Sequence, residues 1–97
     1  MKFYYVYILT NPGKTVLYIG VTNNLRRRLD EHRQNKGKTT FAGKYYCHKL
    51  IYYEEFRNIN HAIEREKELK GWTRIKKENL IATMNPKWHA LNMNFYL

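Results

Sequence analysis

The sequence predicts an α+β fold in which a small three-stranded antiparallel sheet is flanked by helices. Three observations indicate this class: two strand-like segments joined by an Asn-Pro-Gly turn, a third strand-like segment, and three segments with helical spacing of apolar residues. The chain has 97 residues, so we expect one domain over residues 1–97. The predicted order of elements is β-β-α-α-β-α-α.

The first third of the chain is predicted to form a β-hairpin followed by a helix. Residues 3–9 are aromatic and β-branched, as in a buried strand, and residues 16–22 have the same character. The link between them is too short for a parallel crossover, so the two strands pair antiparallel. Asn23 or Asn24 is expected to cap a helix over residues 25–35.

The middle of the chain leads to the third strand. Residues 36–40 are polar and contain a glycine, which predicts a loop. Residues 41–48 are ambiguous, and a short helix is the preferred interpretation. Residues 49–56 resume the aromatic and β-branched pattern and are predicted to form the third strand.

Two helices and an apolar tail are predicted after the third strand. Asn58 or Asn60 caps the first helix, which Gly71 ends, and the last helix runs from a Thr73 cap to about residue 84. The tail is too apolar to extend freely into solvent. Four of its residues are expected to pack back on the domain: Trp88, Leu91, Phe95 and Leu97.

The composition is strongly basic, with 18 Lys+Arg against 8 Asp+Glu and a formal net charge of +10. A compact domain does not need this imbalance to fold, and it attracts polyanions, chiefly nucleic acids. The alternatives are a basic protein that is merely soluble, or one that docks on RNA or anionic lipid. The charge therefore favours nucleic acid as the partner.

The cysteine content and the apolar runs indicate the compartment. Cys47 is the single cysteine, so a disulfide framework within the chain is excluded, and a buried structural thiol is expected. The N-terminus lacks the features of a signal peptide, and no apolar run reaches membrane-spanning length. We expect a cytoplasmic protein without membrane contact, and association with the nucleoid stays open.

Charged residues occur on helix faces that should be apolar. Arg28 and His32 share one face of the first helix with Leu25 and Leu29, at positions i, i+3, i+4 and i+7. Glu66 lies in the same way on the apolar stripe of a later helix. Because buried charges need partners, Arg28 requires an anion or a polar cleft, and Glu66 requires a cation from the protein or a metal.

The hairpin is predicted to place two tyrosines on one sheet face. An even-numbered loop puts Tyr7 and Tyr18 on the same side, and Gly20 is expected to leave open space beside Tyr18 for a backbone or a phosphate. Each polar residue alone is more often structural than functional. Together, two hydroxyls, an arginine, a histidine and a carboxylate match the requirements of metal-assisted phosphodiester chemistry.

Several short motifs in a fixed order along the chain carry a family resemblance. Tyr5-Val6-Tyr7 and Tyr18-Ile19-Gly20 are separated by ten residues, and Asn24, Leu25, Arg28 and His32 follow, with Ala62 and Glu66 on a later helix. This set resembles the GIY-YIG nuclease family over essentially the whole chain, and most resembles its small stand-alone bacterial single-domain members. Tyr5 replaces the glycine of the first motif, and Val21 stands where excision-repair members place a lysine.

The resemblance implies a divalent-metal-dependent endonuclease. Glu66 would be the sole protein ligand of Mg²⁺ or Mn²⁺, a hard cation that keeps most of its waters. Tyr7 would orient or deprotonate the attacking water, and Tyr18 would hydrogen-bond to that water or to the phosphate. Arg28 would hold the phosphate and His32 would assist proton transfer or bind phosphate. Which of Tyr7, Tyr18 and His32 is the base stays open.

The expected substrate is DNA in single-stranded, branched or damaged form, as in repair or recombination, with RNA as the alternative polymer. Low sequence specificity or structure selectivity is expected, because so small a domain has little surface for reading a long site. The oligomeric state stays open. Substrate-binding residues are assigned to the second motif, the first helix and the later helix: Gly20, Asn24, Arg26, Arg27, Arg33 and Lys70.

Two other functions compete with this one. The first is a non-catalytic basic accessory protein that binds nucleic acid. The second is a subunit that cleaves only within a larger complex. Metal-dependent activity of the isolated chain separates the nuclease from the accessory protein.

Overall fold

One antiparallel sheet forms the centre of the molecule. The computed structural model describes residues 2–34 and 45–95. Strands β1 (Tyr4–Thr10), β2 (Leu17–Thr22) and β3 (Lys49–Phe56) lie in the order β2-β1-β3, and β1 pairs antiparallel with both neighbours. The predicted sheet is thus confirmed, and the two hairpin strands begin one residue later than predicted.

Within residues 2–34 and 45–95, three α-helices and a short 3-10 helix surround the sheet. They are α1 (Leu25–Gln34), α2 (Ile59–Lys70), α3 (Arg74–Met84) and the 3-10 helix Asn92–Phe95. The predicted helix starts are confirmed by three capping side chains, which accept backbone N–H groups of the first turns: Asn24, Asn58 and Thr73. Within the described residues, no helix is long and apolar enough to cross a membrane.

The two faces of the sheet are covered by different elements. On one face, Val6 and Ile8 of β1 pack with Ala62 and Leu69 of α2 and with Ile81 of α3. Tyr7 and Leu9 of β1 point to the opposite face, because successive side chains of a strand point to opposite sides of the sheet. That second cluster contains Tyr7, Leu9, Leu25, Leu29, Cys47 and Leu50.

The C-terminal segment packs back on the domain, as predicted. The Leu91 backbone N–H donates to the Leu50 carbonyl at 2.8 Å, and the Asn92 side chain bonds both Leu50 N–H and the His48 carbonyl. Trp88 and Phe95 are partly buried against the two apolar clusters. Leu97 lies outside the described residues.

The segment before β3 differs from the predicted short helix. Residues 45–46 form a turn and residues 47–48 are irregular, and Tyr46 has φ 59°, a left-handed conformation that ends helical hydrogen bonding. Residues 41–44, the predicted loop 36–40 and residue 35 lie outside the described residues. Cys47 is fully buried, which confirms a structural thiol.

Candidate active site

A buried tyrosine–histidine pair is the centre of the site. Tyr7 lies in β1 with 1% of its surface exposed, and His32 lies in the last turn of α1 with 8% exposed. The Tyr7 hydroxyl is 3.0 Å from His32 Nε2, a buried hydrogen bond between residues 25 positions apart. The prediction that His32 faces inward with Leu25 and Leu29 is confirmed.

Gly20 makes room for the Tyr7 ring. The strand register sets Tyr7 opposite Gly20, and a Cβ atom on Gly20 would lie 2.6 Å from Tyr7 Cζ and closer still to the hydroxyl. The space beside Gly20 is therefore filled by Tyr7. The expected opening for a backbone or phosphate at this position was wrong, because the tyrosine of the facing strand extends across the glycine.

Tyr18 completes an aromatic cluster around the pair. Its ring centroid is 6.3 Å from that of Tyr7 and 5.1 Å from that of His32. The predicted placement of both tyrosines on one sheet face is confirmed. Three side chains from β1, β2 and α1 thus present two phenols and an imidazole to one another.

Arg28 carries a nitrogen atom without a hydrogen bond. Its Nε lies 3.4 Å from a Glu31 carboxylate oxygen, close enough for an ion pair. The Nε atom is buried and has no hydrogen-bond partner among the described residues. The ion pair leaves this donor unsatisfied and is weakened by water, because the Arg28 and Glu31 side chains are 38% and 46% exposed.

Glu66 is a largely buried carboxylate on the other side of the sheet. It lies on α2 between Ala62 and Leu69, and its side chain is only 16% exposed. Lys70 Nζ, one turn later, lies 3.5 Å from Glu66 Oε2. Helix α2 packs in the first apolar cluster, whereas Tyr7 belongs to the second, on the opposite face of the sheet. The Glu66 charge nevertheless raises the pKa of the Tyr7 phenol.

The electrostatics hold the central pair in its neutral form. Burial raises the pKa of the Tyr7 phenol far above its usual value, Tyr18 and Glu66 raise it further, and Arg28 opposes them. Burial also lowers the pKa of His32, and the Arg28 guanidinium lowers it again. At neutral pH a protonated phenol thus meets a neutral imidazole, and in the tautomer with its proton on Nδ1, His32 Nε2 accepts from the Tyr7 O–H.

The donor set suits a hard cation. Within the described residues, no group of three or more His, Cys, Asp or Glu side chains is arranged to hold a metal ion. Zn²⁺ requires three or four protein ligands, whereas Mg²⁺ keeps several waters and binds through one or two carboxylates and substrate phosphates. Glu66 offers a single, largely buried carboxylate, so it fits the second pattern.

The other predicted substrate-binding residues lie on the surface around the site. Asn24 uses its side chain to accept the Arg27 N–H at 3.0 Å, so it has a local capping role. Arg27 pairs with Glu31 at 3.8 Å and Arg33 with Asp30 at 3.0 Å. Arg26 is exposed on the same helix.

His48 was missed by the sequence analysis as a neighbour of the site. It precedes β3, and its charge lowers the pKa of His32, which requires spatial proximity. The sequence offered no signal for this, since His48 lies 16 positions from His32 in the chain and forms no spacing pattern with it.

A family model for the GIY-YIG catalytic domain matches residues 3–79. The match spans all three strands, α1, α2 and the first part of α3. This chain belongs to the GIY-YIG family. The resemblance seen in the sequence is therefore confirmed, and the two motifs of the family lie on β1 and β2.

Several GIY-YIG relatives are small proteins of similar length. A UPF0213 protein from Natronomonas pharaonis is 38% identical over 79 residues, covering 81% of this chain and 91% of that protein. A UPF0213 protein from Clostridium perfringens is 39% identical over 83 residues, covering 86% and 87%. The solution NMR structure of a UPF0213 protein from Bacillus halodurans aligns with TM-score 0.57 and 28% identity, covering 91% and 92%.

Proposed function

We propose that this chain is a single-domain, divalent-metal-dependent endonuclease that hydrolyses phosphodiester bonds of DNA. The observation that carries the proposal is the buried Arg28 Nε, which has no hydrogen-bond partner within the described residues and acts on both Tyr7 and His32. A buried N–H donor is costly to leave without an acceptor, and the anionic oxygens of a phosphate are strong acceptors. A phosphodiester matches the guanidinium fork and brings the reacting phosphorus beside the two phenols.

The proposed reaction is attack by water on phosphorus and rupture of one P–O bond. The water proton passes to the Tyr7 oxygen while the Tyr7 proton passes to His32 Nε2, so the phenolate is never formed as a free species. This relay is needed because the raised pKa of Tyr7 makes a free phenolate a rare species near neutral pH. The departing oxygen takes its proton from solvent, and Arg28 offsets charge on the phosphoryl oxygens.

Glu66 is the proposed ligand of Mg²⁺ or Mn²⁺. When bound, such a cation supplies Lewis-acid stabilisation of the charged phosphoryl oxygens. Within the protein, the Glu66 carboxylate lies 3.5 Å from Lys70 Nζ, and its charge raises the pKa of Tyr7.

The proposed substrate is DNA with a structural irregularity, such as a single strand, a branch or a damaged site. The net charge of +10 supports binding to the phosphate backbone, which is independent of sequence. Arg26, Arg27, Arg33 and Lys70 are the proposed backbone contacts. A repair or recombination role in the cytoplasm is consistent with a single, buried, reduced cysteine.

Cleavage by the purified chain tests the proposal. Labelled single-stranded, flapped, forked and duplex DNA would be incubated with Mg²⁺, with Mn²⁺ and with chelator. Cleavage that requires metal supports a nuclease. Binding without cleavage under all conditions would remove the enzyme claim for the isolated chain and favour the accessory protein, whereas activity gained on adding cell extract would indicate a subunit of a larger complex.

Replacing Arg28 with alanine is expected to lower the cleavage rate at saturating DNA by about 10²–10³-fold, the usual loss when one transition-state donor is removed. Arg26→Ala removes the same charge from the exposed side of the same helix. It should weaken DNA affinity modestly and leave the saturated rate within a few-fold of wild type. Equal rate losses in the two variants would show that Arg28 contributes only to the overall positive charge of the helix and has no specific contact with the reacting phosphate.

The cleavage rate is expected to fall as the pH decreases below 6.5. A protonated His32 cannot accept the Tyr7 proton, and burial beside Arg28 holds the pKa of His32 below its usual value of 6.5. Folding stability should decrease in the same range, because the unfolded chain takes up a proton that the folded chain resists. The pH–rate profile and an NMR titration of His32 measure this; a midpoint above 6.5 in either would contradict the neutral pair.

A further inference from the structure

A cleft lies along the outer edge of β2, next to the proposed active site. It has a volume of about 310 Å³, at the lower end of the range of small-molecule sites. Its walls combine apolar, aromatic and cationic residues: Leu17, Tyr18, Ile19, Lys70 and Lys77. Among the described strands, β2 is at the sheet edge, so part of its backbone N–H and C=O groups face away from β1.

Two residues of the cleft also contact proposed active-site residues. Tyr18 lines the cleft and also lies against Tyr7 and His32, with ring centroids 6.3 Å and 5.1 Å away. Lys70 lines it as well and is 3.5 Å from the Glu66 carboxylate. The cleft therefore borders the proposed active site at Tyr18 and Lys70.

Helix α3 is fixed to the hairpin turn that precedes β2, next to the cleft. Arg74, at the start of α3, donates to the carbonyls of Lys14 and Thr15 in the hairpin turn, both at 3.0 Å. The Glu78 carboxylate, 2.8 Å from Arg74 Nε, orients the guanidinium. These contacts fix the start of α3, and with it Lys77, relative to the hairpin.

We propose that this cleft binds one unpaired nucleotide next to the phosphodiester that is cleaved. The base lies along the outer edge of β2 at residues 17–19, and its flanking phosphates bind Lys70 and Lys77. A base in a duplex is paired and stacked and cannot enter without being unstacked, so the cleft selects single-stranded or flapped DNA. This inference rests on the proposed function and names the substrate class of that site.

A series of abasic substitutions tests the base site directly. Single-stranded DNA carrying one abasic nucleotide at successive positions would be bound to the protein in chelator, so that no cleavage occurs. One position is expected to weaken binding roughly five- to 100-fold, the range for loss of one stacked base. Equal affinity at all positions, or equal affinity for duplex and single strand, would overturn the proposal.

Lys77→Ala tests the phosphate contact, with Lys67→Ala as the matched control. Lys67 is exposed on α2 and does not line the cleft. Lys77→Ala should reduce the slope of log affinity against log salt by about 0.7, as for one phosphate of a single strand, and should lessen the abasic effect. Lys67→Ala should change neither. Equal slopes in the two variants would contradict the assignment.

Failure of this inference can be told apart from failure of the proposed function. If affinity is equal at all abasic positions while metal-dependent cleavage occurs, the nucleotide cleft is rejected and the nuclease proposal stands. If one abasic position weakens binding but no cleavage occurs with Mg²⁺ or Mn²⁺, the nuclease proposal is rejected and a cleft that binds single strands remains. Because binding is measured in chelator, the two results do not depend on each other.

Discussion

Glu66→Gln is expected to lower the metal-dependent cleavage rate on the order of 10³-fold or more, because several kcal/mol of transition-state stabilisation depend on the bound cation. Glutamine keeps the shape of the side chain and removes the charge that a hard cation requires. The fold should be almost unaffected, since the Lys70 partner is 54% exposed and such an ion pair stabilises little. Affinity for DNA in chelator should persist, because the variant removes a negative charge from a basic surface.

The matched control for this variant is Glu64→Gln. Glu64 is exposed on the same helix, so the substitution changes the net charge identically without touching the site. Cleavage assays, thermal melting and calorimetric titration with Mn²⁺ would be run on both variants. The metal assignment fails if Glu66→Gln binds Mn²⁺ as wild type does, or if both variants lose activity equally.

Gly20→Ala is expected to damage both stability and activity. The added Cβ would lie 2.6 Å from Tyr7 Cζ and 3.0 Å from Cε2, and the Tyr7 ring cannot move aside because it is 1% exposed in a packed cluster. Overpacking of this kind costs about 1–3 kcal/mol. The melting temperature should fall by about 4–8 °C per kcal/mol for a domain of this size. The displaced phenol would also lose its 3.0 Å contact with His32, so the cleavage rate should fall by about 10²-fold.

Two further variants separate the causes of that loss. Gly13→Ala introduces the same methyl group in the hairpin turn, where the nearest atoms are 3.8 Å and 3.9 Å away, and should leave stability and activity almost unchanged. Tyr7→Phe removes the hydroxyl but keeps the ring, so it should abolish the proton relay with a stability loss of only about 1 kcal/mol. If Gly20→Ala melts and cleaves like wild type, Tyr7 does not occupy the assigned position.

Local sequence signals predicted the elements and much of the site. Strand alternation put Tyr7 and Tyr18 on one face, because the two-residue period of a strand depends only on the chain itself. Helical spacing likewise put His32 inward in α1 and Glu66 on the apolar stripe of α2. Side chains that accept backbone N–H groups marked the helix starts at Asn58 and Thr73, since capping is a contact between near neighbours.

Other features depended on how the elements pack. Gly20 was expected to leave an opening, but the register with β1 fills that space with Tyr7. Residues 41–48 were interpreted as a short helix, whereas the described part, residues 45–48, is a turn with a left-handed Tyr46 followed by irregular backbone. His48 and Lys77 lie near the site only because segments that are distant in the sequence pack together.

The sequence by itself determined the α+β class, the strand and helix faces and the identity of the polar residues on them, because these follow from periods of two and 3.6 residues along one chain. Only the tertiary structure decided which of these residues meet. Tyr7 meets His32 because α1 packs on the sheet face to which Tyr7 points, which brings the hydroxyl and Nε2 of residues 25 positions apart to 3.0 Å. Such a contact depends on helix packing against the sheet, which no local pattern encodes.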